Sequence, residues 1–108
     1  MGRIACKFGG SSLADATQFM KVFSIVESDP NRRFIVPSAP GKRHEGDTKI
    51  TDLLYLCHDA IRQHVSYDEA FGLIVDRYST LATGLSLDLD IVGLLDQLRS
   101  DLESGASV

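Results

Sequence analysis

The sequence predicts an α/β fold in which a strand–helix–strand unit is followed by three more helices. Two short apolar runs near the N-terminus flank a segment of helical periodicity. Three later segments repeat that periodicity, and glycine, proline, asparagine or serine clusters punctuate the boundaries. With 44% hydrophobic and 24% charged residues over 108 positions, the chain has the composition and size of one small globular domain.

The elements follow in order. Arg3-Ile4-Ala5-Cys6 reads as a buried strand, with Lys7 at its end and a Gly9-Gly10-Ser11 turn leaving it. Ser12 and Asp15 form an S-x-x-D variant of the capping box, which places a helix start at about Ser12. Leu13, Ala16, Phe19/Met20, Phe23 and Val26 recur along that helix at the spacing of one buried stripe, and Ser28-Asp29-Pro30-Asn31 stops it. Arg33-Phe34-Ile35-Val36 is the second buried strand. Strand, helix and strand make a βαβ unit, with parallel strands and a right-handed crossover.

A polar loop, Ser38 to Asp47, precedes the remaining helices. Thr51 is placed to cap the next one, with Asp52 favourable to the dipole in its first turn. Leu53, Leu56/Cys57 and Ala60/Ile61 form its inner face. Ser66 and Glu69 make a full capping box for a helix through Phe71, Ile74, Tyr78 and Leu81, closed by Gly84. Ile91, Leu94/Leu95, Leu98 and Leu102 mark a last helix before Gly105. Two strands are few for a parallel sheet, whose two faces both need cover. The chain is therefore expected to be the opening of a larger α/β domain, and by itself to self-associate or pack loosely.

Several function classes are disfavoured. The formal net charge is −4 and no basic run exceeds Arg32-Arg33 or Lys42-Arg43, which argues against nucleic acid or an acidic membrane as partner. No apolar run approaches the ~20 residues of a membrane span. The chain enters a strand almost at once, so no signal peptide is expected and the location is expected to be cytoplasmic. Cys6 and Cys57 read as isolated thiols, and His58 and His64 lack the i,i+4 spacing of helical metal ligands.

The chemistry concentrates at Lys7-Phe8-Gly9-Gly10-Ser11. A glycine-rich strand-to-helix turn lets backbone N–H groups approach an anion, the helix start adds partial positive charge, and Lys7 supplies a full charge. The order is not that of a Walker loop, because the lysine precedes the glycines. Ligands in open α/β sheets bind beyond the carboxyl ends of the strands. Parallel strands would bring Ser38 and Gly41, after the second strand, to the same edge as Lys7.

Lys7-Phe8-Gly9-Gly10-Ser11-Ser12 resembles the N-terminal signature of aspartate kinases, within the wider amino-acid kinase family. Ser38-Ala39-Pro40-Gly41 and then Ile50-Thr51-Asp52-Leu53-Leu54 resemble that family's second motif. The resemblance implies the N-terminal part of a three-layer α/β/α amino-acid kinase fold, with the nucleotide-binding half and the regulatory domains lying outside residues 1–108. It also implies ATP-dependent phosphorylation of the L-aspartate β-carboxylate to 4-phospho-L-aspartate by the full-length protein, with Mg2+. That reaction opens lysine, threonine and methionine synthesis. By the same resemblance Lys7 is the catalytic cation on the ATP phosphates, Gly9, Gly10 and the Ser11 N–H cradle them, Ser38 helps shape the amino-acid pocket and Thr51 contacts aspartate. The chain alone is expected to be inactive, and the full-length protein to be a homo-oligomer. Two other readings remain open here. One is another amino-acid kinase, a glutamate 5-kinase or acetylglutamate kinase; the other is a non-enzymatic helical interaction module.

Overall fold

The computed structural model describes residues 2–105. Their contacts divide into two compact units, with the boundary between Lys49 and Ile50.

The first unit holds β1 (Ile4–Phe8), a 3-10 helix (Gly10–Leu13), α1 (Ala16–Glu27) and β2 (Arg32–Pro37). β1 and β2 pair in parallel as the βαβ reading requires. Ala5 faces Phe34, Cys6 faces Ile35, Lys7 faces Val36 and Phe8 faces Pro37. One irregularity between Ile4 and Ala5 absorbs Arg33, since Ile4 is opposite Arg32.

The helix start differs from the sequence reading. Ser12 lies inside the 3-10 turn, where its N–H bonds the Gly9 carbonyl at 3.1 Å, and it caps nothing. The cap is Asp15, whose carboxylate accepts the Gln18 N–H at 2.9 Å. Asp15 and Gln18 stand three apart and satisfy the cap pattern that Ser12 and Asp15 only imitate. At the other end of α1, the Asp29 side chain accepts the Asn31 N–H at 2.9 Å. Arg32 reaches back to the Ile25 carbonyl and the Ser28 hydroxyl, covering groups the last turn leaves unpaired.

Burial in this unit departs from the expectation. Among its described apolar side chains only Leu13, Ala14 and Pro40 are buried; α1 buries none, and Phe23, Phe34 and Val36 are more than half exposed. A two-stranded sheet has no third strand among the described residues to cover its flanks, so apolar runs that read as buried strands keep their side chains open.

The second unit contains α2 (Ile50–Arg62), α3 (Asp68–Gly84) and α4 (Ile91–Glu103), each touching the other two. Ile50, Leu53 and Cys57 from α2 are buried, as are Phe71, Ile74 and Leu81 from α3 and Leu95 and Leu102 from α4. All but Ile50 are periodic positions of the sequence, with Cys57 buried rather than Leu56 and Leu95 rather than Leu94, which is 60% exposed; Ala60, Ile61, Tyr78, Ile91 and Leu98 are only half-buried. Burial pushes the Cys57 thiol above its ordinary pKa. The α3–α4 contact carries an aromatic cluster, in which the Arg99 guanidinium lies 4.7 Å from the Phe71 ring centroid and 5.7 Å from that of Tyr67. The Tyr67 hydroxyl donates to the Glu103 carboxylate.

Two caps were misplaced by the sequence. Thr51 is the second residue of α2 rather than its cap. Ser66 and Glu69 form no reciprocal box; α3 begins at Asp68, and the Ser66 hydroxyl accepts the Asp68 N–H at 3.3 Å. Asp90 does cap α4, accepting the Gly93 N–H at 3.0 Å. Among the described residues no helix is long and apolar enough to cross a membrane.

Ile74 is fully buried and Val92 is 71% exposed, which separates their expected effects. Ile74→Ala should destabilise the fold by about 2–5 kcal/mol, through lost transfer energy plus a cavity. Val92→Ala should stay within about 0.5 kcal/mol. Urea denaturation of the two variants checks this ranking.

Candidate active site

Parallel pairing puts the carboxyl ends of β1 and β2 side by side, so the segments that leave them meet. Lys7 is the penultimate residue of β1, not its terminus, and its side chain is exposed. Among the described residues its ammonium group has no ion-pair partner, which leaves its charge for a ligand or solvent. Phe8 ends the strand, and its carbonyl accepts the Ser38 N–H at 3.0 Å, extending the ladder one residue beyond β2. Ser38 is thereby held beside the Phe8–Gly9 peptide, with its side chain exposed.

The two glycines serve different geometry. Gly9 has φ −75° and ψ 172°, an extended conformation open to any residue, and a Cβ there would meet nothing within 4 Å. Neither backbone strain nor internal packing demands glycine at this position. Gly10 is crowded: a Cβ would sit 3.2 Å from the Gly41 Cα and 3.3 Å from the Ala39 carbonyl oxygen. Gly41 is tighter still, because its Cβ would fall 2.6 Å from the Gly10 carbonyl carbon. The Gly41 N–H donates to the Gly10 carbonyl at 2.8 Å. The turn after β1 and the loop after β2 are therefore in backbone-to-backbone contact.

That loop has its own internal brace. Arg43 donates from Nε to Asp47 Oδ2 at 2.7 Å, from Nη2 to Oδ1 at 3.1 Å and from its backbone N–H to Oδ2 at 2.9 Å. The Asp47 N–H donates to the His44 carbonyl at 3.1 Å. Hydrogen bonding to the Arg43 guanidinium holds the Asp47 carboxyl far below the usual carboxylate range, against the opposing effect of burial. The i,i+4 spacing of Arg43 and Asp47 was visible in the sequence, but in a polar loop it carried no structural meaning until the loop was seen closed.

Of the residues singled out from the sequence, Lys7, Gly9, Gly10, Ser11 and Ser38 gather at one sheet edge. Ser11 is exposed in the 3-10 turn. Thr51 belongs to the other unit and is exposed in the first turn of α2. No group of three or more His, Cys, Asp or Glu side chains suited to a metal ion occurs among the described residues.

No family model matches the chain. Aspartokinase 3 of Bacillus subtilis (strain 168) is 46% identical to it over 96 residues, which are 89% of this chain and 20% of that protein. The crystal structure of Clostridium acetobutylicum aspartate kinase matches with a TM-score of 0.95 and 48% identity, over 99% of this chain and 25% of that one. The chain is homologous to the aspartokinases. It spans a fifth to a quarter of the length of these relatives. Its parallel β pair and following helices are an α/β segment of the aspartate kinase fold.

A carboxyl whose pKa is lowered in the folded state adds stability above its unfolded pKa, and that contribution disappears as pH falls through the folded value. Asp47→Asn should therefore cost stability at neutral pH, by no more than about 1 kcal/mol because the pair lies near the surface and is screened. The difference from the parent should shrink in acid below about pH 4. Chemical denaturation of both proteins across that range measures it.

Proposed function

We propose that the full-length protein carrying this chain is an aspartate kinase, and that residues 1–108 are the N-terminal portion of its catalytic domain. The supporting observation is the 46–48% identity to two aspartokinases over nearly the whole chain, with the Lys7–Ser11 turn set at the carboxyl ends of two parallel strands. In this reading ATP with Mg2+ supplies the phosphoryl group that the L-aspartate β-carboxylate receives, giving 4-phospho-L-aspartate.

The residues at the sheet edge fit a polyphosphate. Lys7 is exposed and offers a full positive charge. Gly9 leaves open the volume a side chain would take, so an anion can approach the backbone there. Phosphoryl transfer calls for placement and charge stabilisation rather than a strong acid or base. In that division of labour Lys7 holds the charge that develops on the transferred group, and Gly9, Gly10 and the Ser11 N–H surround the same phosphates. Ser38 shapes the amino-acid pocket and Thr51 contacts aspartate. Mg2+ enters with the nucleotide, and no described residue is assigned to it.

Phe8 within the first motif and the Ile50-Thr51-Asp52 helix start favour aspartate over glutamate or acetylglutamate as acceptor. The product would feed lysine, threonine and methionine synthesis in the cytoplasm, and the enzyme would work as a homo-oligomer.

Lys7→Ala in the full-length protein should lower kcat by about 10²–10³-fold, the range for losing one donor to developing charge, with little change in aspartate KM. A loss of tenfold or less would contradict the assignment. The 108-residue chain alone should form no aspartyl hydroxamate from aspartate, ATP and hydroxylamine, since the remaining three-quarters or more of the relatives' length is outside it.

A further inference from the structure

The loop after β2 does more than meet the turn after β1; it determines which way that turn's amides face. In a planar trans peptide the C=O and the following N–H point in opposite directions, and none of the described peptide bonds is cis. The Gly41 N–H holds the Gly10 carbonyl at 2.8 Å. The Ser11 N–H lies in the same peptide plane as that carbonyl and must face away from Gly41. The Ser38 N–H does the same to the Phe8 carbonyl, at 3.0 Å, and so sets the Gly9 N–H. Both amides belong to the stretch proposed to surround the phosphates. A carbonyl oxygen turned toward a phosphate would repel it, so tying both carbonyls to the second loop keeps them out of the site.

We infer that Gly41 is a positioning residue for phosphoryl transfer. Its amide fixes the Gly10–Ser11 peptide plane, and the Arg43–Asp47 pair braces the loop that presents it. This rests on the aspartate kinase reading above. Glycine is required at position 41 by contact alone. Its φ is outside the left-handed region, and a Cβ would collide with the Gly10 carbonyl at 2.6 Å and 2.8 Å and with the Ser11 nitrogen at 3.0 Å. Those atoms are backbone and cannot swing aside, so alanine at 41 must push the two loops apart and release the peptide plane. The Arg43–Asp47 closure spans only five residues, beginning two residues after Gly41, with three donor contacts from one residue onto one carboxylate.

The test is steady-state kinetics of Gly41→Ala in the full-length protein, beside Lys7→Ala. Gly41→Ala should lower kcat by about tenfold or more, below the 10²–10³ of outright donor loss. It should also raise the ATP KM by about threefold or more while leaving the aspartate KM unchanged, because the misdirected amide faces the nucleotide. Simple loss of folded enzyme would lower kcat with both KM values intact, and that result overturns the inference. So does a kcat within twofold of the parent. If Gly41→Ala yields no folded protein, Asp47→Asn takes its place under the same criterion, a fall in kcat joined to a rise in ATP KM. Retained activity in Lys7→Ala would instead defeat the phosphate-site reading itself. A Lys7→Ala defect with a normal Gly41→Ala enzyme defeats only the positioning role.

Discussion

Parallel pairing of β1 with β2 governs the candidate site. It forces both segments that leave the strands to emerge at the same sheet edge, so the turn after Phe8 and the loop after Pro37 must share a small volume. They share it by dispensing with side chains: Gly10 and Gly41 touch through backbone atoms, and an amide of the second loop bonds a carbonyl of the first. A Cβ at Gly41 would separate the loops, and one at Gly10 would press tightly on Gly41 and Ala39. The candidate site is thus made of main chain, with Lys7 proposed as its added charge.

That construction suits the chemistry proposed. A transferring phosphoryl group spreads charge over several oxygens, and fixed N–H donors meet that charge without reorganising. Fixing donors requires their peptide planes to be held from behind. Ser38 and Gly41 hold two of them, and the closed Arg43–Asp47 loop keeps the holder in place. A surface ion pair contributes little to stability by itself. Its larger effect here is to reduce the conformations open to a long, polar connection.

The second unit follows ordinary helix-packing rules. Buried aliphatic residues at helical spacing join α2, α3 and α4, and the Arg99 guanidinium stacks against the Phe71 and Tyr67 rings at the α3–α4 contact. Arg77 is an exception to the pattern, a charged residue only 3% exposed on the inner face of α3. Its position, three residues after Ile74 and four before Leu81, sets it on the buried stripe of that helix.

The sequence by itself determined the element order, the parallel pair, most core positions of α2, α3 and α4, and the residues gathered around Lys7. These depend on local signals: apolar periodicity, glycine in turns, and a hydroxyl or carboxylate before a helix. Neighbouring capping signals compete, and there the sequence was ambiguous. Ser12 and Asp15 both suit a helix start, and the 3-10 turn decided for Asp15; α2 starts one residue before Thr51 and α3 two residues after Ser66. Only the tertiary structure decided what was exposed. Apolar strands read as buried remain open because burial depends on neighbouring strands, which a linear pattern cannot count. It also decided that Gly9 and Gly10 have different purposes, one facing open space and one pressed against Gly41. That difference arises from a contact between Gly10 and Gly41, 31 positions apart, which spacing along the chain does not encode.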